Sequence, residues 1–431
     1  MSFLAIEAAR RSSPSRWPWR PLRRVARLRR ERNLRSDAVL LALSAEAGVN
    51  PRPDDGGRQL PAETTISDYW LVRPGDIVFN PMWAMFGGVA ESTIEGAVSP
   101  AYRVYEPGPL LVPRFLHYFL RSRPALAQYA LVVRGLTTFD RSVAREDAEG
   151  MPIPVPPLDQ QRAIADYLDA ETAWIDALIA KKRRMISLLE ERWQNTMHDG
   201  VAGALTSRDE NRSSPIPWLT AMPATWREAK LNLVARLGSG HTPSRRHPEW
   251  WDEPTIPWIT TGEVARMRSD RIELVTKTRE MISRKGLANS SAELHPAGTV
   301  VLCRTASAGY SAIMSKEMAT SQDFATWTCG ALLKPRFLLL CLRVMRQDLL
   351  GRLAMGSTHQ TIYMPDIESI KVPLPPIQEQ DAIVQAVYER LPELDRAIQG
   401  LTRQIDLLSE RCRALITAAV TGDLDLSEVA V

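Results

Sequence analysis

Pro154-Val155-Pro156-Pro157-Leu158-Asp159-Gln160-Gln161 returns 219 residues later as Pro373-Leu374-Pro375-Pro376-Ile377-Gln378-Glu379-Gln380. The match runs without a gap to Val201-Ala202-Gly203 and Val420-Thr421-Gly422, so the chain reads as two halves on one plan. Each copy opens with an extended strip, because proline lacks an N–H and pushes the residue before it out of the helical region. Helix must therefore begin after Pro157 and Pro376. The second copy has Pro392 where the first has Ala173. Proline belongs in a first helical turn, so the pattern predicts a short helix (Asp159 to Ala170, Gln378 to Glu389), a break, then a long helix (Ala173 to Asp199, Pro392 to Thr417).

Along the first long helix Ile175, Ile179, Lys182, Ile186, Leu189, Trp193 and Thr196 fall at alternating steps of four and three, the spacing of a coiled-coil seam. The second repeats it with Leu394, Ile398, Leu401, Ile405, Leu408, Cys412 and Leu415. Two matching seams in one chain point to helices that pair. The competing reading is two amphipathic helices, each lying on its own domain. Burial of roughly 1.5–3 kcal/mol per large seam residue outweighs Gly400 in mid-helix, which costs about 1 kcal/mol. A helix of about 26 residues is about 40 Å long.

With 431 residues, 45% apolar and 24% charged, the composition is that of a globular protein with room for two or three domains. Cys303, Cys329, Cys341 and Cys412 show no C-x-x-C spacing, so a disulfide framework and a zinc site are both unsupported and a reducing, cytoplasmic compartment is expected. The longest apolar run, Phe337 to Leu342, is far short of a membrane span. Net charge is only +4, but arginines cluster between Arg10 and Arg35. That run is open to three readings: a phosphate-contacting patch, a targeting-like segment, or, for Met1 to Arg16, a disordered tail left by an over-extended start. The tail is favoured.

The repeat reaches beyond the helices: Trp17 and Val25-Ala26-Arg27-Leu28 recur as Trp226 and Val234-Ala235-Arg236-Leu237. Arg73-Pro74-Gly75 before Asp76 to Phe79, and His295-Pro296-Ala297-Gly298 before Thr299 to Leu302, each read as a turn feeding a buried strand. Apolar helices follow around Phe115 to Arg121 and Phe337 to Arg343, then polar loops at Arg134 to Asp140 and Gly356 to Thr361. The expected division is a tail (1–16), a globule (17–157), a helical spacer (158–203), a linker (204–225), a second globule (226–376), a second spacer (377–422) and a tail (423–431).

No catalytic constellation emerges. Asn80-Pro81-Met82-Trp83 has some likeness to the Asn-Pro-Pro-aromatic motif of amino-methyltransferases, but its second proline and the Gly-rich cofactor loop are missing. Gly238-Ser239-Gly240 is an incomplete dinucleotide loop, and His117, His198, His241, His247, His295 and His359 have no metal-ligand spacing. What remains are polar, aromatic and basic loops of the kind that read nucleic acid, since Arg, Asn and Gln contact base edges and Ser/Thr contact phosphates. In the first half the candidates are Arg27, Arg29, Arg30, Asn80, Trp83, Arg134, Thr137 and Arg141. In the second they are Ser239, His241, Thr242, Ser244, Arg245, Thr260, Thr261, Arg304, Ser307, Thr358, His359 and Gln360.

On the duplicated Pro-Pro-Leu/Ile-x-x-Gln strips, Gly238-Ser239-Gly240-His241-Thr242-Pro243-Ser244, Ile256-Pro257-Trp258-Ile259-Thr260-Thr261-Gly262-Glu263, Asp76 to Ala84, and Gly356-Ser357-Thr358 before Asp366-Ile367, the chain resembles the specificity subunits of type I restriction-modification enzymes. The resemblance implies an α+β protein: two globular target-recognition domains related by internal duplication and separated by two long antiparallel coiled-coil-like helices. It further implies a non-catalytic subunit that recognises a split site on double-stranded DNA. Its expected partners are two methyltransferase subunits and motor-nuclease subunits, which would use S-adenosylmethionine, ATP and Mg2+, with no cofactor or metal in this chain. The alternatives are a self-contained DNA adenine methyltransferase using Asn80 to Trp83, and a coiled-coil scaffold without DNA binding.

Overall fold

Backbone groups of a proline-rich strip can be satisfied at a sheet edge, and that is where both strips lie. In the computed structural model, Pro152–Pro154 pairs antiparallel with Trp19–Pro21, and Lys371–Leu374 with Arg227–Lys230. The structure describes residues 17–35, 37–45, 47–52, 66–135, 141–207, 209–355 and 360–424. The segment Met1 to Arg16, Thr137, Thr358 and His359 lie outside them. The chain divides into two units, residues 1–183 with 402–431, and residues 184–401.

Helix starts directly after each strip, at Leu158–Val201 and Ile377–Thr421. The expected break is absent: both helices are continuous, with Pro392 inside the second. Ile383, Val387 and Leu391 are buried before the proline, and Leu394 packs against the same core after it. Burial worth roughly 1.5–3 kcal/mol per fully enclosed side chain outweighs the ~3 kcal/mol cost of an interior proline. At 44 and 45 residues, each helix is about 66 Å long at 1.5 Å per residue, not the about 40 Å expected of its longer segment alone.

The seam is where the heptads put it. Ile175 and Ile179 are buried, and Ile186, Leu189, Leu394, Ile398, Leu401, Ile405 and Leu408 are half-buried among exposed neighbours. In the first unit Lys182 Nζ donates to Gln404 Oε1 at 2.6 Å and Arg411 lies over Trp174, so the two helical segments run antiparallel. In the second unit Gly200 faces Val387 and Ile383.

Each unit has a sheet with the same strand order. In the first it is Ala26–Arg29, Arg103–Pro107, Ile77–Phe79, Val89–Glu91; in the second, Ala235–Ser239, Phe324–Cys329, Val300–Cys303, Ser311–Met314, with Leu274–Val275 added in parallel at the end. The apolar helices Pro113–Leu120 and Pro335–Val344 bury large side chains in the cores of these units, Phe115, Phe119 and Phe337 among them. The peripheries differ. Trp70–Val72 is antiparallel to Gly96–Val98, whereas Ile256–Ile259 is parallel to Ala319–Thr320.

Residues 204–225 are not a linker. Asn211–Ser213 pairs with Ala221–Pro223, and Ile216, Leu219 and Met222 are buried in the core of the second unit. The end of the polar run, Asn211–Ser213, is one strand of a hairpin whose connection and second strand carry the apolar anchors.

The glutamine closing each strip fixes helix to globule. Gln161 accepts from the Val112 N–H at 2.7 Å and donates to the carbonyls of Leu110 (2.9 Å) and Pro156 (2.8 Å). Gln380 accepts from the Lys334 N–H at 2.8 Å and donates to Leu332 and Pro375, both at 2.9 Å. Both side chains are fully buried, so one amide on each long helix satisfies three backbone groups that would otherwise lack partners.

Candidate nucleic-acid interface

In the second unit the candidate loops meet at one end of the sheet, around the turn Ser321-Gln322-Asp323. Strand Ala235–Ser239 leaves the sheet there: Ser239 Oγ donates to the Phe324 carbonyl, the His241 N–H to the Thr320 carbonyl at 3.0 Å, and Thr242 Oγ1 to Gln322 Oε1 at 2.7 Å. Gly240 is required by this approach, because a Cβ on it would overlap the carbonyl of Thr320. From the neighbouring strand Arg304 Nε donates to the Gln322 carbonyl, and Thr305 Oγ1 to Asp323. Ser321 donates its N–H to Ile259 and its hydroxyl to Asp323, which draws the Thr260 and Thr261 turn to the same place.

The tip after Arg304 is held in a strained form. Ala306 has φ 58°, a left-handed conformation costing a non-glycine residue about 1–2 kcal/mol. It is fixed by hydrogen bonds between Cys303 and both Gly309 and Tyr310, and Ser307 Oγ accepts from Arg268 at 3.3 Å. Thr305 bridges to Thr361 beside exposed Gln360, whose strand Thr361–Ile362 pairs with Ala354–Met355. Farther out, Ser244 caps the Arg246 N–H, and Arg245 pairs with Glu280 while stacking over Trp251 at 4.5 Å. His241, Thr261, Arg245 and Gln360 are exposed on this surface.

The corresponding end of the first unit has a different surface. The Asn80 N–H donates to Gly88, and its side-chain oxygen accepts from the Met82 N–H at 3.1 Å. Asn80 is therefore a buried turn former, and its place before Pro81 and Trp83 follows from turn geometry. Trp83 and Phe86, with ring centroids 5.5 Å apart, stand out from the tip at 51% and 47% exposure. Gly88 lets the loop close, since a Cβ would come within 2.8 Å of the Trp83 backbone. The Val143 N–H donates to Pro81, Arg103 donates to the Val143 carbonyl, and Arg141 lies over Phe86 at 5.8 Å. An exposed aromatic pair with one guanidinium over a ring suits base faces and thymine methyls.

Not every candidate reaches this surface. Arg29 is buried and makes a two-pronged ion pair with Asp76 at 2.9 and 3.0 Å, so it holds the sheet together and is not free to contact a ligand. Burial alone would lower its pKa, but the bonded Asp76 carboxylate outweighs this and raises it. Arg27 is exposed but tied to Glu106 at 2.8 Å, and Arg134 to Asp147 at 3.0 Å. Arg30 is exposed at the end of its strand. Sequence reasoning passed over Gln322 and Asp323, which gather the second cluster. Their only signal was a Ser-x-Asp turn between two apolar strands.

Burial also governs the titratable groups nearby. It pushes the Cys303 thiol up to about 11, with Sγ turned to the Thr305 carbonyl, and pushes His295 down. Among the described residues no group of three or more His, Cys, Asp or Glu could hold a metal ion, and no helix is long and apolar enough to cross a membrane.

Residues 223–406 match the family described as Type I restriction modification DNA specificity domain. Over 191 residues the chain is 25% identical to the type I restriction enzyme MjaIX specificity subunit of Methanocaldococcus jannaschii, covering 44% of this chain and 42% of that one. Over 183 residues it is 25% identical to the EcoR124I/EcoR124II specificity subunit of Escherichia coli, covering 41% and 44%. The chain thus spans less than half the length of the curated relatives it matches. A solved structure described as "Structural basis underlying complex assembly and conformational transition of the type I R-M system" aligns over 96% of this chain and 100% of its own at 18% identity and a TM-score of 0.67, so the fold is shared.

Proposed function

We propose, from the type I restriction modification DNA specificity domain that residues 223–406 carry, that this chain is the sequence-reading subunit of a type I restriction-modification complex. Each unit reads one half of a split target on double-stranded DNA. The observation that carries this reading is the repeated placement of polar loops at the same end of the same sheet: 80–88 with 141–143 in one unit, and 239–242, 260–263, 304–307 and 321–323 in the other. Groups fixed by backbone bonds lose little freedom on contact, and different residues at equivalent places select different bases.

In the second unit Thr242, Arg304 and the 321–323 turn form one bonded set, so His241, Thr261 and Gln360 can be presented to base edges and phosphates from a rigid base. In the first, Trp83 and Phe86 supply apolar faces and Arg141 a charge. Chemistry is left to partners: two methyltransferase subunits using S-adenosylmethionine, and motor-nuclease subunits using ATP and Mg2+, in the cytoplasm. The buried Cys303 and the turn-forming Asn80 support a non-catalytic role for the loops that hold them.

The test is methylome sequencing of cells expressing the chain with and without a type I methyltransferase subunit. A new motif of two short half-sites with a fixed gap, appearing only with both chains, is expected. Trp83→Ala should then relax or lose one half-site and leave the other unchanged. Methylation from this chain alone would replace the proposal with a self-contained methyltransferase. No methylation in either strain, with no DNA retention by the pair, would leave a scaffold.

A further inference from the structure

The first unit carries a basic edge away from its reading loops. The strand Trp19–Pro21, the turn Leu22–Val25 and the strand Ala26–Arg29 present Arg20, Arg23, Arg24 and Arg27, all exposed. Arg23, Arg24 and Arg27 line a shallow concavity of about 340 Å³, floored by Pro107, Gly108 and Pro109. Its one carboxylate is Glu106, already bonded to Arg27 at 2.8 Å. The fold does not need these charges. At the equivalent turn of the second unit, Leu231–Val234 followed by Ala235–Ser239, the residues in place of Arg20, Arg23 and Arg24 are Ala229, Asn232 and Leu233, and only Arg236 keeps the charge of Arg27.

We propose that this edge binds the sugar–phosphate backbone of duplex DNA beside the half-site read by the first unit, without base preference, as an anchor that the second unit lacks. The proposal rests on the DNA-reading function above. Three features favour a polyanion. Guanidiniums outnumber carboxylates three to one in the lining of the concavity. Its floor is proline and glycine and offers no large apolar anchor of the kind a protein interface needs. And Arg30 directly follows the strand Ala26–Arg29 that carries Arg27, about 10 Å away at 3.3 Å per residue, about three base pairs along a backbone with one charge per 3.4 Å of each strand. Exposed guanidiniums thus stand toward both ends of this strand.

The experiment is a salt titration of the chain assembled with its methyltransferase subunit, on a duplex carrying the motif found by methylome sequencing. Arg23→Ala/Arg24→Ala should flatten the slope of log K against log[salt] by about 1.8, from about 0.9 per phosphate contact. Between 50 and 200 mM salt the variant should then lose about 12-fold less affinity than the native complex. The motif itself should not change. Arg23→Asn/Arg24→Leu, the pair the second unit folds with, should behave like the alanine variant, and Arg23→Lys/Arg24→Lys should restore the native slope. An unchanged slope in correctly assembled variants overturns the proposal. Loss of methyltransferase co-purification with an unchanged slope also overturns it and makes the edge a protein-docking surface. A native complex that neither methylates nor retains DNA refutes the underlying function instead.

Discussion

Gln380→Ala removes the group on which the joint between the second helix and its globule depends. Its amide meets three backbone partners within 2.9 Å and is fully buried. Truncation leaves the Lys334 N–H and the carbonyls of Leu332 and Pro375 facing a void. Each unsatisfied buried group costs about 1–3 kcal/mol, and one water could serve two of the three, so a net loss of at least about 1–3 kcal/mol is expected. For a unit of this size about 1 kcal/mol moves Tm by about 2–4 °C, which puts the drop at about 2–12 °C in the transition of the second unit. Calorimetry on native protein and variant reads it. Gln385→Ala is the control: its exposed amide bonds only Glu389, one turn on, and it should move Tm by less than about 2 °C. Gln161→Ala should reproduce the loss in the first unit. A Gln380→Ala shift no larger than that of the control would refute the staple.

Ile186→Asp and Ile405→Asp each place a carboxylate in the half-buried seam and should cost about 1–3 kcal/mol, read as a lower melting temperature by circular dichroism; unchanged melting would mean the seam contributes nothing. Pro392→Ala restores an interior hydrogen bond in a helix that is already continuous, so stability should rise by up to about 3 kcal/mol in urea unfolding, and a decrease would show that the helix depends on its proline. The third test is pH. Burial, then Arg121 and Arg114, push His117 down to about 3, and its Nδ1 accepts from the Glu91 N–H at 3.0 Å. The folded state holds His117 neutral while the unfolded chain takes a proton below about 6.5, so stability falls as pH drops through 6.5 toward 3. Between pH 7 and 5 the loss is about 2 kcal/mol. His117→Gln should remove that slope; an unaltered slope would assign it to other groups.

What could be read from the sequence was what local chemistry decides. Prolines fix where the helices begin, and the heptads of Ile175 to Thr196 and Leu394 to Leu415 name the face that is least exposed. Gly75 and Gly298 mark the turns before Ile77–Phe79 and Val300–Cys303. What could not be read depends on distant partners. Whether Pro392 breaks its helix is settled by Val387, Leu391 and Leu394 on the core, not by the proline. Whether Thr206 to Ser214 is a spacer depends on the strand it meets at Ala221–Pro223. Arg29 and Arg30 look alike in sequence, yet Asp76, 47 positions on from Arg29, takes one into the interior and leaves the other outside.

The duplication serves as an internal control on which of these features belong to the fold and which to recognition. Two stretches that share only part of their residues still keep one strand order and one glutamine bonded to three backbone groups. Those features survive divergence because each is tied to buried groups with no alternative partner. At the reading end the outermost side chains, Trp83 and Phe86 in one unit and His241 and Thr261 in the other, are exposed and under no such packing. Trp83 and Phe86 protrude from one unit where Arg304, Thr305 and Ser307 line the other, although the strands on either side superpose in order and register. A pair of modules with matching joints and unlike tips is what the proposed reading of two different half-sites requires: the joint would set how each tip is held, and the tip would contact the bases. By the same reasoning Arg23 and Arg24 belong with the tips, because the turn that bears them folds equally well around Asn232 and Leu233.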